Sequence, residues 1–185
     1  MKGNRSALLA LVVIVVLAVG WWLLRRSSDG GGLDLMSRFD SAEKRPPTPG
    51  LFTVEDVTIN GETKKSIVIA PTVGTRITFK TRVPDDGWLR VSMALKPEAW
   101  TAEGDGARFM VLVSDGRASD ELFTQDINPF GNPSDRKWTP VMVDLSAYAG
   151  EEVDVIFNTF ASPPRKVGDI RNDILVWGAP EVVVR

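Results

Sequence analysis

The sequence contains no cysteine and no histidine among its 185 residues, and only one tyrosine. These absences remove the thiol and imidazole groups that act as nucleophiles and bases, the Ser-His-Asp arrangement, and the usual ligands of zinc and haem. Carboxylates, lysines and serines remain, so only glycosidase-like or metal–carboxylate chemistry is left open. No spacing selects a catalytic carboxylate pair from the many acidic residues. We therefore expect a protein that is not an enzyme and has no cofactor.

Acidic residues outnumber basic residues after the N-terminal part of the chain. Residues 1–50 hold seven basic and four acidic residues, a net charge of +3, whereas residues 51–185 hold 15 basic and 20 acidic residues, a net charge of −5. Binding to a phosphate backbone requires clustered lysine and arginine. The acidic balance of the larger part therefore argues against nucleic acid as a partner.

An uncharged apolar run, ALLALVVIVVLAVGWWLL, occupies residues 7–24. At about 1.5 Å per residue a helix of this length spans about 27 Å, close to the ~30 Å hydrocarbon core of a bilayer. We interpret it as a single transmembrane helix after a cytoplasmic tail of residues 1–6, since Lys2 and Arg5 favour an inside N-terminus. The alternative is a cleaved signal peptide with its cleavage site at residues 18–20.

Aromatic and basic residues follow directly on the apolar run. Trp21, Trp22, Arg25 and Arg26 are the types that anchor a helix at the membrane–water interface, and we assign them that role. The lipid bilayer is therefore an expected partner. The predicted location is the bacterial inner membrane, with the globular part on the periplasmic, extracytoplasmic side.

Residues 25–50 have the composition of a linker. SSDGGG is typical of a flexible segment and KRPPTPG of a stiff, extended one. Between them, residues 33–39 have apolar side chains at a spacing compatible with one or two helical turns. A short docking helix and a disordered spacer both remain open for this stretch.

Residues 51–185 alternate between apolar and polar side chains with a period of two, which predicts half-buried β-strands. Asn60-Gly61 is the dipeptide favoured in a type I′ hairpin, because both positions tolerate a positive φ. We find no internal repeat and no long helix, and we expect a loop over residues 125–134. The predictions are therefore an all-β, antiparallel two-layer sandwich. The predicted strands are residues 52–59, 66–70, 75–83, 88–95, 108–113, 141–145, 153–160, 174–177 and 181–184.

A succession of short motifs lies within this domain. KPEAW precedes GDG and the strand RFMVLV; RKW precedes the turn DLSAYAG; FNT, Asp173 and the Trp177-Gly178 pair follow. The succession resembles the galactose-binding-like jelly-roll domains of bacterial surface and membrane proteins. The resemblance implies a jelly roll of eight or more strands outside the cytoplasm, and loosely implies carbohydrate binding, because one fold hosts many functions.

Four tryptophans lie in the predicted domain. Flat aromatic rings stack on sugars, but a tryptophan more often packs in a core. We expect Trp138 and Trp177 to be structural. Trp100, in a loop with Asp105, is the best candidate for an exposed ligand-binding residue, and Trp88 is a weaker one. Turn-forming aspartates are common, so we expect no metal site.

Two functional hypotheses follow from these observations. In the first, the chain is a membrane-anchored accessory subunit that braces other membrane protein subunits, for example of a respiratory or photosynthetic complex. In the second, it is an anchored, lectin-like module that binds a glycan. Ranked on sequence alone, the accessory subunit comes first, because no small-ligand motif is recognisable.

Overall fold

The computed structural model of the chain describes residues 32–160 and 170–185. Within these two ranges no helix is long and apolar enough to cross a bilayer. The predicted cytoplasmic tail, the predicted span of residues 7–24 and the interface residues Trp21, Trp22, Arg25 and Arg26 lie outside the described residues. The membrane anchor therefore stays a prediction.

Strands make up most of the described chain. Four short 3₁₀ helices accompany them, Leu35–Ser41, Pro97–Trp100, Pro133–Asp135 and Ser146–Tyr148. In chain order the strands are β1 (Leu33–Asp34), β2 (Glu43–Arg45), β3 (Phe52–Ile59), β4 (Glu62–Ile69), β5 (Gly74–Arg82), β6 (Gly87–Leu95), β7 (Ala107–Ser114), β8 (Ser119–Ile127), β9 (Thr139–Asp144), β10 (Glu152–Phe160) and β11 (Leu175–Val184).

These strands form two antiparallel sheets. The larger sheet has the order β3-β4-β11-β6-β9, with β1 also paired to β11, and the smaller sheet has the order β2-β5-β10-β7-β8. From β4 onward the chain passes to the opposite sheet at almost every connection, and only β7 and β8 follow one another in the same sheet. This wrapping is that of a jelly-roll sandwich. The expected all-β, two-layer jelly-roll fold is confirmed.

The core lies between the two sheets and is built by the period-two pattern. On β5, Ile77 and Phe79 are buried while Arg76, Lys80 and Arg82 are exposed. Trp177 of β11 is fully buried, with its ring centroid 5.0 Å from that of Phe109 and 4.8 Å from that of Phe157. Such edge and tilted contacts add to the stabilisation from apolar burial.

The sandwich begins at Leu33 rather than at residue 51. We call residues 33–45 the N-terminal brace: β1 pairs with β11 in the larger sheet, a 3₁₀ helix follows, and β2 pairs with β5 in the smaller sheet. Leu35 and Met36 of this helix are buried in the core between the sheets. The helical turn is thus formed, and the predicted linker of residues 25–50 is part of the domain from Leu33 onward.

A second, smaller apolar cluster covers the outer face of the larger sheet. Trp138 lies across Gly178 of β11, where a Cβ atom would come within 2.8 Å of the indole ring. Its Nε1 donates to the Glu62 carbonyl at 3.0 Å. Val176, Ala94 and neighbouring residues pack around it. This cluster closes the outer face of the larger sheet.

Candidate functional site

A charged groove lies on the outer face of the smaller sheet. It has a volume of about 470 Å³ and runs between the 3₁₀ helix of the N-terminal brace and the turn that joins β7 to β8. We call it the sheet groove. Its walls are formed by Arg38, Lys80, Thr81, Arg82, Ser114, Asp115, Gly116, Glu152, Val153 and Asp154. Three cations and three carboxylates are among these lining residues.

The register of the central strands places the charged side chains opposite one another. Lys80 of β5 lies opposite Asp154 of β10, and Arg82 lies opposite Glu152. On the other side of β10, Asp154 lies opposite Ser114 of β7. Because successive strand residues point to opposite faces, the inward positions between them fill the core while these side chains face the groove.

The two rims of the sheet groove are held by local hydrogen bonds. Arg38 Nη1 donates to the Lys80 carbonyl at 2.8 Å, which ties the brace to β5. On the opposite rim, Asp115 Oδ1 accepts from the backbone N–H groups of Arg117 and Ala118 at 2.8 and 3.1 Å. These bonds lower the pKa of Asp115, so that its carboxylate stays ionised.

The charged side chains on β5 and β10 that line the sheet groove do not pair with one another. Within the described part of the chain, neither Lys80 and Asp154 nor Arg82 and Glu152 close into a salt bridge. Their donors and acceptors are therefore free to bond to a ligand. A hydroxyl group, which both donates and accepts, suits such a mixed surface.

Trp100 occupies a different region from the sheet groove. It ends the 3₁₀ helix Pro97–Trp100 and is half-buried against the cluster on the larger sheet. Its Nε1 donates to the Leu95 carbonyl at 3.2 Å, and its own carbonyl accepts from Arg136 Nη2 at 2.9 Å. The ring thus contributes to packing.

Trp88 and Asp105 are not brought together with one another. Trp88 lies near the start of β6, half-buried, with the Arg185 guanidinium 4.7 Å from its ring centroid. Asp105 lies in the loop after the opposite end of that strand and is half-buried. Its Oδ1 is buried without a hydrogen-bond partner among the described residues. Neither residue lines the sheet groove.

The acidic residues do not assemble into a metal-binding group in residues 32–160 and 170–185. Asp173 is buried beside Gly104, where a Cβ atom would lie 3.8 Å from its Oδ1. This places the GDG loop against the chain that leads into β11, which is a packing role for the loop.

The sheet groove was not identified from the sequence. Its charged residues come from four separate segments. In the sequence, each of these segments has the pattern of an ordinary solvent-exposed strand face or turn. Only the cross-strand register brings them together. The signal available in the sequence was the alternation of arginine and lysine along residues 75–83, which indicates an exposed cationic row but not what opposes it.

Comparison with known proteins places few limits on the function. No family model matches the chain. It is similar to an uncharacterised protein of Archaeoglobus fulgidus, 41% identical over 101 residues, which are 54% of this chain and 25% of that protein. The chain thus spans about a quarter of the length of this curated relative.

Solved structures of low identity are also similar. They include TmCBM61 in complex with β-1,4-galactotriose (9% identity, 82% of this chain and 94% of that one) and CBM51 from Clostridium perfringens GH95 in complex with methyl-galactose (14%, 83% and 100%). A third is the CBM22-2 xylan-binding domain from Paenibacillus barcinonensis Xyn10C (7%, 84% and 99%). Each has a TM-score of 0.49. At these identities and TM-scores, nothing about the ligand of this chain follows from the similarity.

Proposed function

We propose that the sandwich is a non-catalytic carbohydrate-binding module and that the sheet groove is its ligand site. The observation that carries the proposal is the lining of the groove, in which three cationic and three carboxylate side chains converge on one open volume. An apolar ligand in this groove would displace water from the charged groups without replacing the hydrogen bonds that the water makes, at a cost of several kcal/mol. A glycan replaces those bonds with its own hydroxyls.

The charge balance of the lining supports a neutral ligand. Arg38, Lys80 and Arg82 are matched by Asp115, Glu152 and Asp154, so the groove carries no large field of one sign. A phosphorylated or polyanionic ligand would be favoured by a cationic excess, which this groove lacks within its described lining. Neutral sugars meet both donors and acceptors there.

This proposal reverses the order of the two hypotheses from the sequence. The lining of the sheet groove supports a ligand with many hydroxyl groups, whereas the accessory-subunit hypothesis is supported by the sequence alone. The anchor of residues 7–24 and an extracytoplasmic location remain part of the proposal. They are supported by the uncharged apolar run and the basic residues before it.

Binding of neutral oligosaccharides tests the proposal. The full chain, purified in mild detergent, is screened on a glycan array, and hits are measured by calorimetry. We expect Lys80→Ala and Asp154→Asn each to weaken binding by about tenfold or more, because a hydrogen bond to a charged group is worth about 1.5–3 kcal/mol. Lys65→Ala is the control, since Lys65 is exposed on β4 of the other sheet. Equal affinities for all four proteins would contradict the proposal.

A further inference from the structure

We infer that the ligand is a zwitterionic glycan, which carries an ammonium group and a carboxylate on neighbouring sugars and has no net charge. The inference rests on the proposed function and adds the chemical class of the sugar that the sheet groove selects. The observation that carries it is the arrangement of the charges in the groove, which are balanced in number but separated in space.

The three cations lie together on one side of the sheet groove. Lys80 and Arg82 are alternate residues of β5, so their side chains project from the same face of the strand. Arg38 reaches this side from the N-terminal brace, because its Nη1 donates to the Lys80 carbonyl at 2.8 Å. All three residues are exposed. They form a short row of positive charge that a ligand carboxylate can approach from solvent.

The three carboxylates lie on the other side of the groove. Glu152 and Asp154 are alternate residues of β10, which pairs with β5. Asp115 directly follows β7, the strand that pairs with the far edge of β10. Arg117 lies in the same turn as Asp115 but does not line the groove. A ligand ammonium on this side therefore meets carboxylates and no lining cation among the described residues.

Further acidic residues adjoin the carboxylate side. The Tyr148 hydroxyl donates to Asp120 Oδ2 at 2.6 Å. This bond, then partial burial, and then the charges of Asp120, Asp115 and Glu151 raise the pKa of Tyr148. Because Asp115 and Glu151 act on the same hydroxyl as Asp120, the three carboxylates lie near one another. The negative side of the sheet groove is thus part of a wider negative surface.

The spacing of the strands sets the spacing of the charges in the ligand. Neighbouring strands lie about 4.8 Å apart, so the cations of β5 are about 5 Å from the carboxylates of β10 and about 10 Å from the end of β7. In a free amino acid both charges are on one carbon atom, which is too close to reach the outer groups on both sides. Charges on neighbouring sugars fit this separation better.

A ligand with both charges uses both sides of the groove. An uncharged sugar forms hydrogen bonds with the same residues, but charge-assisted hydrogen bonds are about twice as strong as neutral ones. A polyanionic glycan would be attracted by the row of cations and repelled by the carboxylates of β10, and a polycationic glycan would meet the opposite balance. The zwitterionic glycan alone gains on both sides.

Four tetrasaccharides that vary the two charges independently test the inference. They are alternating glucosamine and glucuronic acid (zwitterionic), its N-acetylated form (carboxylate only), a glucosamine oligomer (amine only) and its N-acetylated form (uncharged). Trialanine with free ends is the peptide counterpart. Binding to the full chain in mild detergent is measured by calorimetry at a mildly acidic pH, where the amines and the carboxylates are both ionised.

We expect the wild type to bind the zwitterionic tetrasaccharide about tenfold or more tightly than each of the other three, because only this one forms charge-assisted bonds on both sides. The advantage should shrink at high ionic strength, since exposed charges are screened by salt. Affinity for the uncharged tetrasaccharide should change little with salt.

Two substitutions assign the charges of the ligand to the two sides. Lys80→Gln should reduce the preference for the zwitterionic over the amine-only tetrasaccharide about threefold, and Asp154→Asn should reduce the preference over the carboxylate-only one about threefold. Asp56→Asn and Lys65→Gln are the matched controls, because Asp56 and Lys65 are exposed and lie opposite one another on β3 and β4 of the other sheet. Both controls should keep the selectivity of the wild type.

Equal affinities of the wild type for the zwitterionic and the uncharged tetrasaccharide would overturn the inference and leave carbohydrate binding in place. So would tightest binding of the amine-only or the carboxylate-only tetrasaccharide. Unchanged selectivity in both Lys80→Gln and Asp154→Asn would show that the charges of the ligand are recognised outside the sheet groove. Tighter binding of trialanine than of every tetrasaccharide, or failure to bind any oligosaccharide, would overturn the proposed function as well.

Discussion

At the scale of a single residue, the pKa of Tyr148 depends on a hydrogen bond that only the folded chain forms. Its hydroxyl donates to Asp120 Oδ2 at 2.6 Å, and this bond, with partial burial and the nearby carboxylates, raises the pKa of Tyr148 to about 12. In the unfolded chain a tyrosine titrates near its ordinary pKa of about 10. The neutral form is therefore favoured by folding, and its contribution to stability is complete below about pH 10 and is lost as the pH rises to about 12.

We therefore expect the phenolate absorbance of the folded chain to appear near pH 12. The band is unambiguous because the chain has one tyrosine. The denaturant midpoint of the wild type should fall more steeply between about pH 10 and 12 than that of Tyr148→Phe. Titration of Tyr148 near its ordinary pKa would show that the bond to Asp120 is not formed.

Single residues were also where sequence reasoning was most and least successful. Asn60 and Gly61 have φ values of 51° and 83°, and the predicted type I′ hairpin is confirmed. Gly150, which ends the turn DLSAYAG, also has a positive φ, 77°. The role of Trp100 could not be read from its own neighbourhood, because the cluster it packs on is supplied by β3, β4, β6 and β11. Burial of an aromatic residue depends on distant segments, whereas a turn is local.

At the scale of elements, the N-terminal brace holds the two sheets together. Leu35 is fully buried in the core, although the 3₁₀ helix that carries it is exposed at Ser37 and Arg38. We expect Leu35→Ala to lower the free energy of unfolding by about 2–5 kcal/mol, as for other buried leucines. Urea unfolding of the full chain, followed by tryptophan fluorescence, measures it.

Val73→Ala is the control for this substitution. Val73 is an aliphatic residue that is 71% accessible, so its truncation should change the free energy of unfolding by less than about 0.5 kcal/mol. If Leu35→Ala were as mild as Val73→Ala, residues 33–45 would be a peripheral appendage and the predicted linker would stand.

Two strands show why the remaining elements were predicted incompletely. β8 was missed because it is an edge strand with mostly exposed, polar residues, so its apolar pattern is weak. β11 was predicted as two strands, since Gly178-Ala179-Pro180 reads as a break. The register on β6 shifts between Gly178 and Glu181, and Ala179 has a φ of 46°, so a bulge accommodates the proline and one strand continues.

At the scale of the whole molecule, the two faces of the sandwich differ. Trp138 and its cluster close the outer face of the larger sheet, whereas the smaller sheet carries the sheet groove. The alternation of apolar residues was sufficient to predict the two-layer fold. It could not predict which outer face carries a groove, because that depends on the paths of the brace and of the long loop after β8.

The location of the ligand is the central claim, and amide chemical-shift mapping tests it most directly. The isotope-labelled full chain in detergent micelles is titrated with the neutral oligosaccharide that binds best. We predict the largest shifts at Lys80 and Arg82 of β5, Asp154 of β10 and the Asp115-Gly116 turn. Shifts confined to the loop of Trp100 and Asp105, with the residues of the sheet groove unchanged, would contradict it.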